Sequence, residues 1–110
     1  MKTNLIAAIL IAALATPLLA RADTPEFTIV IKNHRFEPAE IVVPADKEVK
    51  LVIDNRDATP EEFESHELRR EKVVVGGSKA NIWVGPLRPG TYAFFGEYHE
   101  DTAKGRLIVK

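Results

Sequence analysis

The sequence predicts an all-β domain, a sandwich or barrel of about eight short strands. Three observations predict it. From Phe27 onward apolar and polar residues alternate with period two, turn-forming clusters recur between the alternating runs, and no stretch carries a helical period. The first run places Phe27, Ile29 and Ile31 on one face and Thr28, Val30 and Lys32 on the other. Further runs cover Glu40 to Val43, Glu48 to Asp54, Glu62 to Leu68, Lys72 to Val75, Lys79 to Val84, Thr91 to Phe95 and Arg106 to Val109. Between them stand Pro44-Ala45-Asp46, Asp54-Asn55-Arg56-Asp57, Gly76-Gly77 and Pro86-Leu87-Arg88-Pro89-Gly90, each rich in residues that bend the chain. Gly76-Gly77-Ser78 reads as a hairpin turn. It has no following helix whose N-terminus could hold a phosphate.

Residues 1–22 read as a cleavable export signal. Lys2 is the positive end, Leu5 to Leu19 is the apolar stretch, and Ala20-Arg21-Ala22 is a small-residue cleavage site. The apolar stretch is interrupted by Pro17 and is shorter than a membrane span. Cleavage would leave residues 23–110 as one domain. It loses Lys2 and Arg21 but no acid, so 13 basic face 16 acidic side chains at net charge −3. Such a balance excludes nucleic acid as a partner, because the only basic cluster, Arg69, Arg70 and Lys72, is interrupted by Glu67 and Glu71. The expected location is the periplasm or the exterior, with no membrane insertion after cleavage. The chain has no cysteine. A domain this small, in a compartment that permits disulfides, therefore relies on packing, or partly on a metal.

Two aromatic residues read as structural. Tyr92, just after Pro89-Gly90, resembles the corner where a strand changes sheet and its hydroxyl pins the turn. Trp83 lies in an alternating strand as core or sheet surface.

Chemistry concentrates around histidine and carboxylate. In Glu61-Glu62-Phe63-Glu64-Ser65-His66-Glu67 alternation puts Glu62, Glu64 and His66 on one face, with Phe63 toward the core. Like charges on one face need water or a cation to relieve them. A solvated acidic face and a metal site are both open on spacing alone. The loop from Gly96 to Gly105 carries His99 among Glu97, Glu100 and Asp101, a set suited to Fe, Cu or Zn, although Lys104 and Arg106 could neutralise these acids. His34, between Lys32 and Arg35, reads as a surface residue where positive charge disfavours a cation. Ser65-His66 is no catalytic pair, since neighbours on a strand point to opposite faces.

Phe36-Glu37-Pro38-Ala39-Glu40-Ile41, Leu51-Val52-Ile53-Asp54-Asn55, Pro86 to Tyr92 and the segment from His99 to Gly105 together resemble a cupredoxin. The resemblance spans nearly all of residues 23–110 and implies a Greek-key β-sandwich. The family's Cys-x-x-His-x-x-Met, laid on this loop, falls on Gly96, His99 and Thr102, and its other histidine falls within Glu61-Glu62-Phe63. Only His99 survives, so a blue copper centre, which depends on the copper–thiolate bond, is excluded. Glu62-Phe63-Glu64-Ser65, Gly96-Glu97-Tyr98-His99 and Thr102-Ala103-Lys104-Gly105 more narrowly resemble the periplasmic cupredoxin-like components of bacterial ferrous iron uptake systems. That resemblance implies Glu62, Glu64, His66, Glu97 and His99 as ligands for iron or copper. It also implies a membrane iron permease as partner, with iron oxidation or delivery as the role. Alternation leaves Glu61 and Glu62 undecided as the residue facing an ion, because a bulge exchanges them. A copper-dependent ferroxidase and a metal-free module docking on a transport partner are the alternative expectations.

Overall fold

The computed structural model describes residues 24–110; the expected export signal lies outside them. Nine strands pack as two sheets. They are β1 (Glu26–Lys32), β2 (Arg35–Glu37), β3 (Glu40–Val43), β4 (Val49–Asn55), β5 (Glu61–Ser65), β6 (Arg70–Val74), β7 (Lys79–Val84), β8 (Gly90–Gly96) and β9 (Lys104–Val109). One sheet has the order β2-β1-β4-β7 and the other β3-β9-β8-β5-β6. β1 runs parallel to β4 and β3 parallel to β9, while the remaining pairs are antiparallel. The expected all-β sandwich is the observed architecture.

The period-two pattern explains why the sheets face one another. Ile29 and Ile31 from β1, Val49, Leu51 and Ile53 from β4, and Phe63, Phe94, Leu107 and Val109 from the opposite sheet are all buried. Each such side chain contributes about 1.5–3 kcal/mol on leaving water. Phe94 is the centre of an aromatic group, with Phe36 at 5.1 Å edge-on and Phe63 stacked at 5.0 Å. Tyr92 Oη donates to the Arg88 carbonyl at 2.8 Å, fixing the corner that the Pro-Gly turn predicts. Trp83 is on the outer surface of its sheet, 47% exposed, with Lys50 Nζ 5.5 Å from its ring centre.

Three local expectations are corrected. The strand expected from Glu62 to Leu68 stops at Ser65. Ser65 Oγ donates to the Ala93 carbonyl and accepts from the Leu68 amide, which curls residues 66–69 into a turn and takes His66 off the strand. Gly76-Gly77 does not close a hairpin, for β6 and β7 belong to different sheets and the segment crosses between them. A Cβ at Gly76 would stand 2.2 Å from the Ala58 carbonyl oxygen, so the crossing runs too close to the neighbouring loop for a side chain. The short strand β2 was not evident as a separate run. It is paired to β1 across Asn33-His34, both at positive φ, the geometry of a two-residue type I′ turn.

Candidate metal centre

Consecutive residues of β5 point in opposite directions, and this divides the candidate ligands between two places. Glu61, Phe63 and Ser65 face inward, each 0–1% exposed, whereas Glu62 and Glu64 face outward. No bulge exchanges Glu61 with Glu62, so the inward carboxylate at the loop end of the sandwich is Glu61.

A buried carboxylate needs donors, and Glu61 has three. Oε1 accepts from the amides of Glu62 at 3.0 Å and Tyr98 at 2.9 Å. Oε2 lies 2.5 Å from His99 Nδ1. An ionised carboxylate can only accept, so Nδ1 carries the proton. His99 is presented by a 3₁₀ turn, Glu97–His99, and the segment behind it is drawn tight because the Ala103 amide returns to the His99 carbonyl at 2.8 Å.

His34 is not the free surface residue that its basic neighbours suggest. It is half-buried, and its ring stacks on His99 with centroids 3.5 Å apart and planes 12° off parallel. Nitrogen lone pairs lie in the ring plane, so two nearly parallel imidazoles do not converge on one ion; His34 in this rotamer covers His99. Its backbone is held from both sides. The His34 carbonyl accepts from Thr102 Oγ1 at 2.6 Å, while Asp57 accepts the amides of Asn33 at 2.8 Å and His34 at 3.0 Å. Burial raises the Asp57 carboxyl, but those two hydrogen bonds and the positive charge available on His34 and His99 outweigh it and hold it below the ordinary carboxylate value. The Asp57 loop is in turn fixed by buried Asn55, which donates to the carbonyls of Thr59 and Val74 and accepts the Asp57 amide.

On the outer face of the same sheet, Glu62, Glu64 and Glu97 stand with Glu71, which the sequence reading did not select. One oxygen from each lies within 4.8 Å of the others. Glu71 is directly across from Glu64 in the β5–β6 ladder. His66, in its turn, is 76% exposed with Nδ1 3.7 Å from Glu64 Oε2. Lys104 and Arg106 do not neutralise these acids, since Arg106 pairs with Glu40 and Lys104 forms no ion pair among the described residues. Of the five sequence candidates, His99 is therefore at the inner end beside Glu61, Glu62, Glu64 and Glu97 share the outer face, and His66 is at that face's rim.

A thiolate-bound copper does not fit the inner end. A Cβ on Gly96, the position aligned with the thiolate, would stand 2.6 Å from Glu61 Cδ and 2.8 Å from its Oε2. The Glu61 carboxylate occupies the space a cysteine side chain would need. Thr102, at the axial position, directs its hydroxyl to the His34 backbone.

Residues 4–109 match the cupredoxin-like domain. The chain belongs to the cupredoxin-like family. A relative within reach of sequence comparison is the uncharacterized protein RP394 of Rickettsia prowazekii (strain Madrid E), 49% identical over 84 residues, or 76% of this chain and 67% of that protein. Among solved structures, this cupredoxin-like chain is similar to auracyanin A, a "blue" copper protein of Chloroflexus aurantiacus. The TM-score is 0.69 at 15% identity, covering 80% of this chain and all of the other. It is also similar to the metal-binding domain of the Cu(I)-exporting P-type ATPase CopA of Streptococcus pneumoniae D39, with TM-score 0.66, 15% identity, and coverage of 77% and 84%. At such identities these two likenesses establish the fold alone. No helix among the described residues is long and apolar enough to cross a membrane.

Proposed function

We propose that this is an exported metal-binding protein that holds an iron or copper ion at the Glu61–His99 end of the sandwich and serves ferrous iron uptake by oxidising the ion or passing it to a membrane permease. The observation that carries the reading is the Glu61 Oε2–His99 Nδ1 pair, 2.5 Å apart, in the space where the family's thiolate would stand. A carboxylate oxygen and an imidazole nitrogen suit Fe(II), Fe(III) and Cu(II) better than Cu(I), which prefers sulfur. The ion would supply Lewis acidity and redox chemistry. Glu61 would contribute an oxygen already oriented by two backbone amides, and His99 a ring nitrogen that is open to an ion when the neutral ring carries its proton on the other nitrogen. Export is supported by the three-part pattern of residues 1–22. The iron-uptake role and the permease partner are supported by the resemblance of the β5 and closing-loop motifs.

Anaerobic titration with Fe(II) and Cu(II) on the wild type, Glu61→Gln and His99→Ala tests the site. Binding at least tenfold weaker in both variants is expected; equal binding in all three removes it. Oxygen uptake on adding Fe(II) with sub-stoichiometric copper separates a ferroxidase from a carrier. Thermal stability unchanged by every metal would instead favour a metal-free docking module, since a ligand that binds the native state raises apparent stability.

A further inference from the structure

We infer that Glu62, Glu64, Glu71 and Glu97 form a second cation site, built of carboxylate oxygen alone, that takes a hard cation of about calcium's size. Sheet register assembles it. Antiparallel pairing sets Glu64 opposite Glu71 across β5–β6. The β5–β8 ladder pairs Phe63 with Gly96 and Glu64 with Phe95, and continuing it by one step brings Glu97 beside Glu62. Two like-charged cross-strand pairs thus stand next to each other, an arrangement that destabilises a sheet unless something offsets it.

The environment of Glu62 points to a ligand independently of that count. Its residue is only 8% exposed, and its backbone is taken up by the β5–β6 ladder and by the amide's bond to Glu61 Oε1. Its carboxylate has neither a hydrogen-bond donor nor an ion-pair partner among the described residues, and it is aimed at the other three. Burial at this level is ordinarily reserved for carboxylates that are paired or bound to metal. Arg70, next to Glu71 on β6, is engaged elsewhere, donating to the carbonyls of Trp83, Leu68 and Arg69, and the His66 ring, 3.7 Å from Glu64 Oε2, pairs with Glu64 and not with Glu62. No Lys or Arg forms an ion pair with any of the four glutamates among the described residues.

The spacing suits the chemistry. Ligand oxygens at roughly 2.3–2.6 Å from an ion of calcium size stand about 4.6–5.2 Å apart when they face one another across it. The four oxygens lie within 4.8 Å of one another, inside that span. Oxygen-only ligands favour hard ions over Cu(I) or Zn(II), which distinguishes this site from the oxygen and nitrogen pair at Glu61–His99.

Titration of the purified protein with Tb(III), a hard all-oxygen probe, is the test, read by luminescence and by melting temperature. One strong equivalent is expected. Glu71→Gln, an exposed change on an edge strand, should weaken it at least tenfold, and Glu62→Gln more. His99→Ala should leave Tb(III) binding unchanged while removing Cu(II), and Glu71→Gln should do the reverse. Tb(III) binding that is absent, or equal in wild type and Glu71→Gln, overturns the second site whatever the fate of the first. Should Glu62→Gln fail to fold, the Glu71→Gln comparison decides.

Discussion

Glu61 and Glu62 are adjacent and chemically identical, yet the sheet gives them opposite circumstances. Glu61 is buried at the loop end with three donors on its two oxygens. Glu62 is nearly as buried on the other face and has carboxylates for neighbours. The comparison teaches that burial alone does not say what a carboxylate does; the donors arranged around it do. One face of the strand has a negative charge satisfied by protein, and the other a negative charge left for something else to satisfy.

The comparison is broken most severely by Glu61→Ala. Loss of a buried acceptor that holds two amides and an imidazole should cost about 3 kcal/mol, measured by chemical denaturation, together with Cu(II) binding. Gly96→Ala comes next. Its methyl group would meet Glu61 Cδ at 2.6 Å and the Ala103 Cβ at 2.7 Å, and such overpacking costs about 1–3 kcal/mol. In the double variant with Glu61→Ala the two costs should not add, because the first change empties the space the second requires.

A smaller effect follows from Asp57, which has the same kind of satisfied charge as Glu61 but nearer the surface. Its folded-state pKa is depressed, so its stabilising contribution is complete above the unfolded value and disappears as pH falls through the folded one. Wild type should therefore exceed Asp57→Asn in stability at pH 6, with the gap narrowing as the solution is acidified below about pH 4, the ordinary range for an aspartate. Denaturation at a series of pH values checks this, and a gap that widens toward acid contradicts it. The smallest effect is the most diagnostic. Without metal, Glu71→Lys should stabilise the protein by about 0.2–1 kcal/mol, because a like-charged cross-strand pair becomes an opposite one. No comparable gain is open at Glu61, whose charge is already matched.

The sheets were legible because alternation such as Phe27, Ile29 and Ile31 is written locally, as was the Pro-Gly-Thr-Tyr corner. His99 could be selected because a histidine amid acids on a loop is a local pattern too. Glu61 was harder to assign. Parity already grouped it with Phe63 on the inward face, but the donors that make an inward carboxylate tolerable come from Tyr98 and His99, 37 and 38 residues away. Glu71 depended on the β5–β6 register, which the turn after Ser65 sets, and reading the strand on to Leu68 concealed that turn. His34 was set aside on the charge of Lys32 and Arg35, whereas the Asn33-His34 turn rotates its ring away from them and onto His99. Asparagine before it, a residue tolerant of positive φ, was the available signal.

β6 lies at the margin of its sheet, with one side of its backbone unpaired in the five-strand order. An open margin invites another chain to add on, and the Arg69-Arg70-Glu71-Lys72 run, charged at every position, makes this one a poor template for polymerisation. Glu71 thus serves solubility as well as the outer carboxylate group. An ion held between Glu64 and Glu71 would fasten the marginal strand to its inner neighbour, slowing amide exchange along β6 while neutralising part of the charge that keeps copies apart.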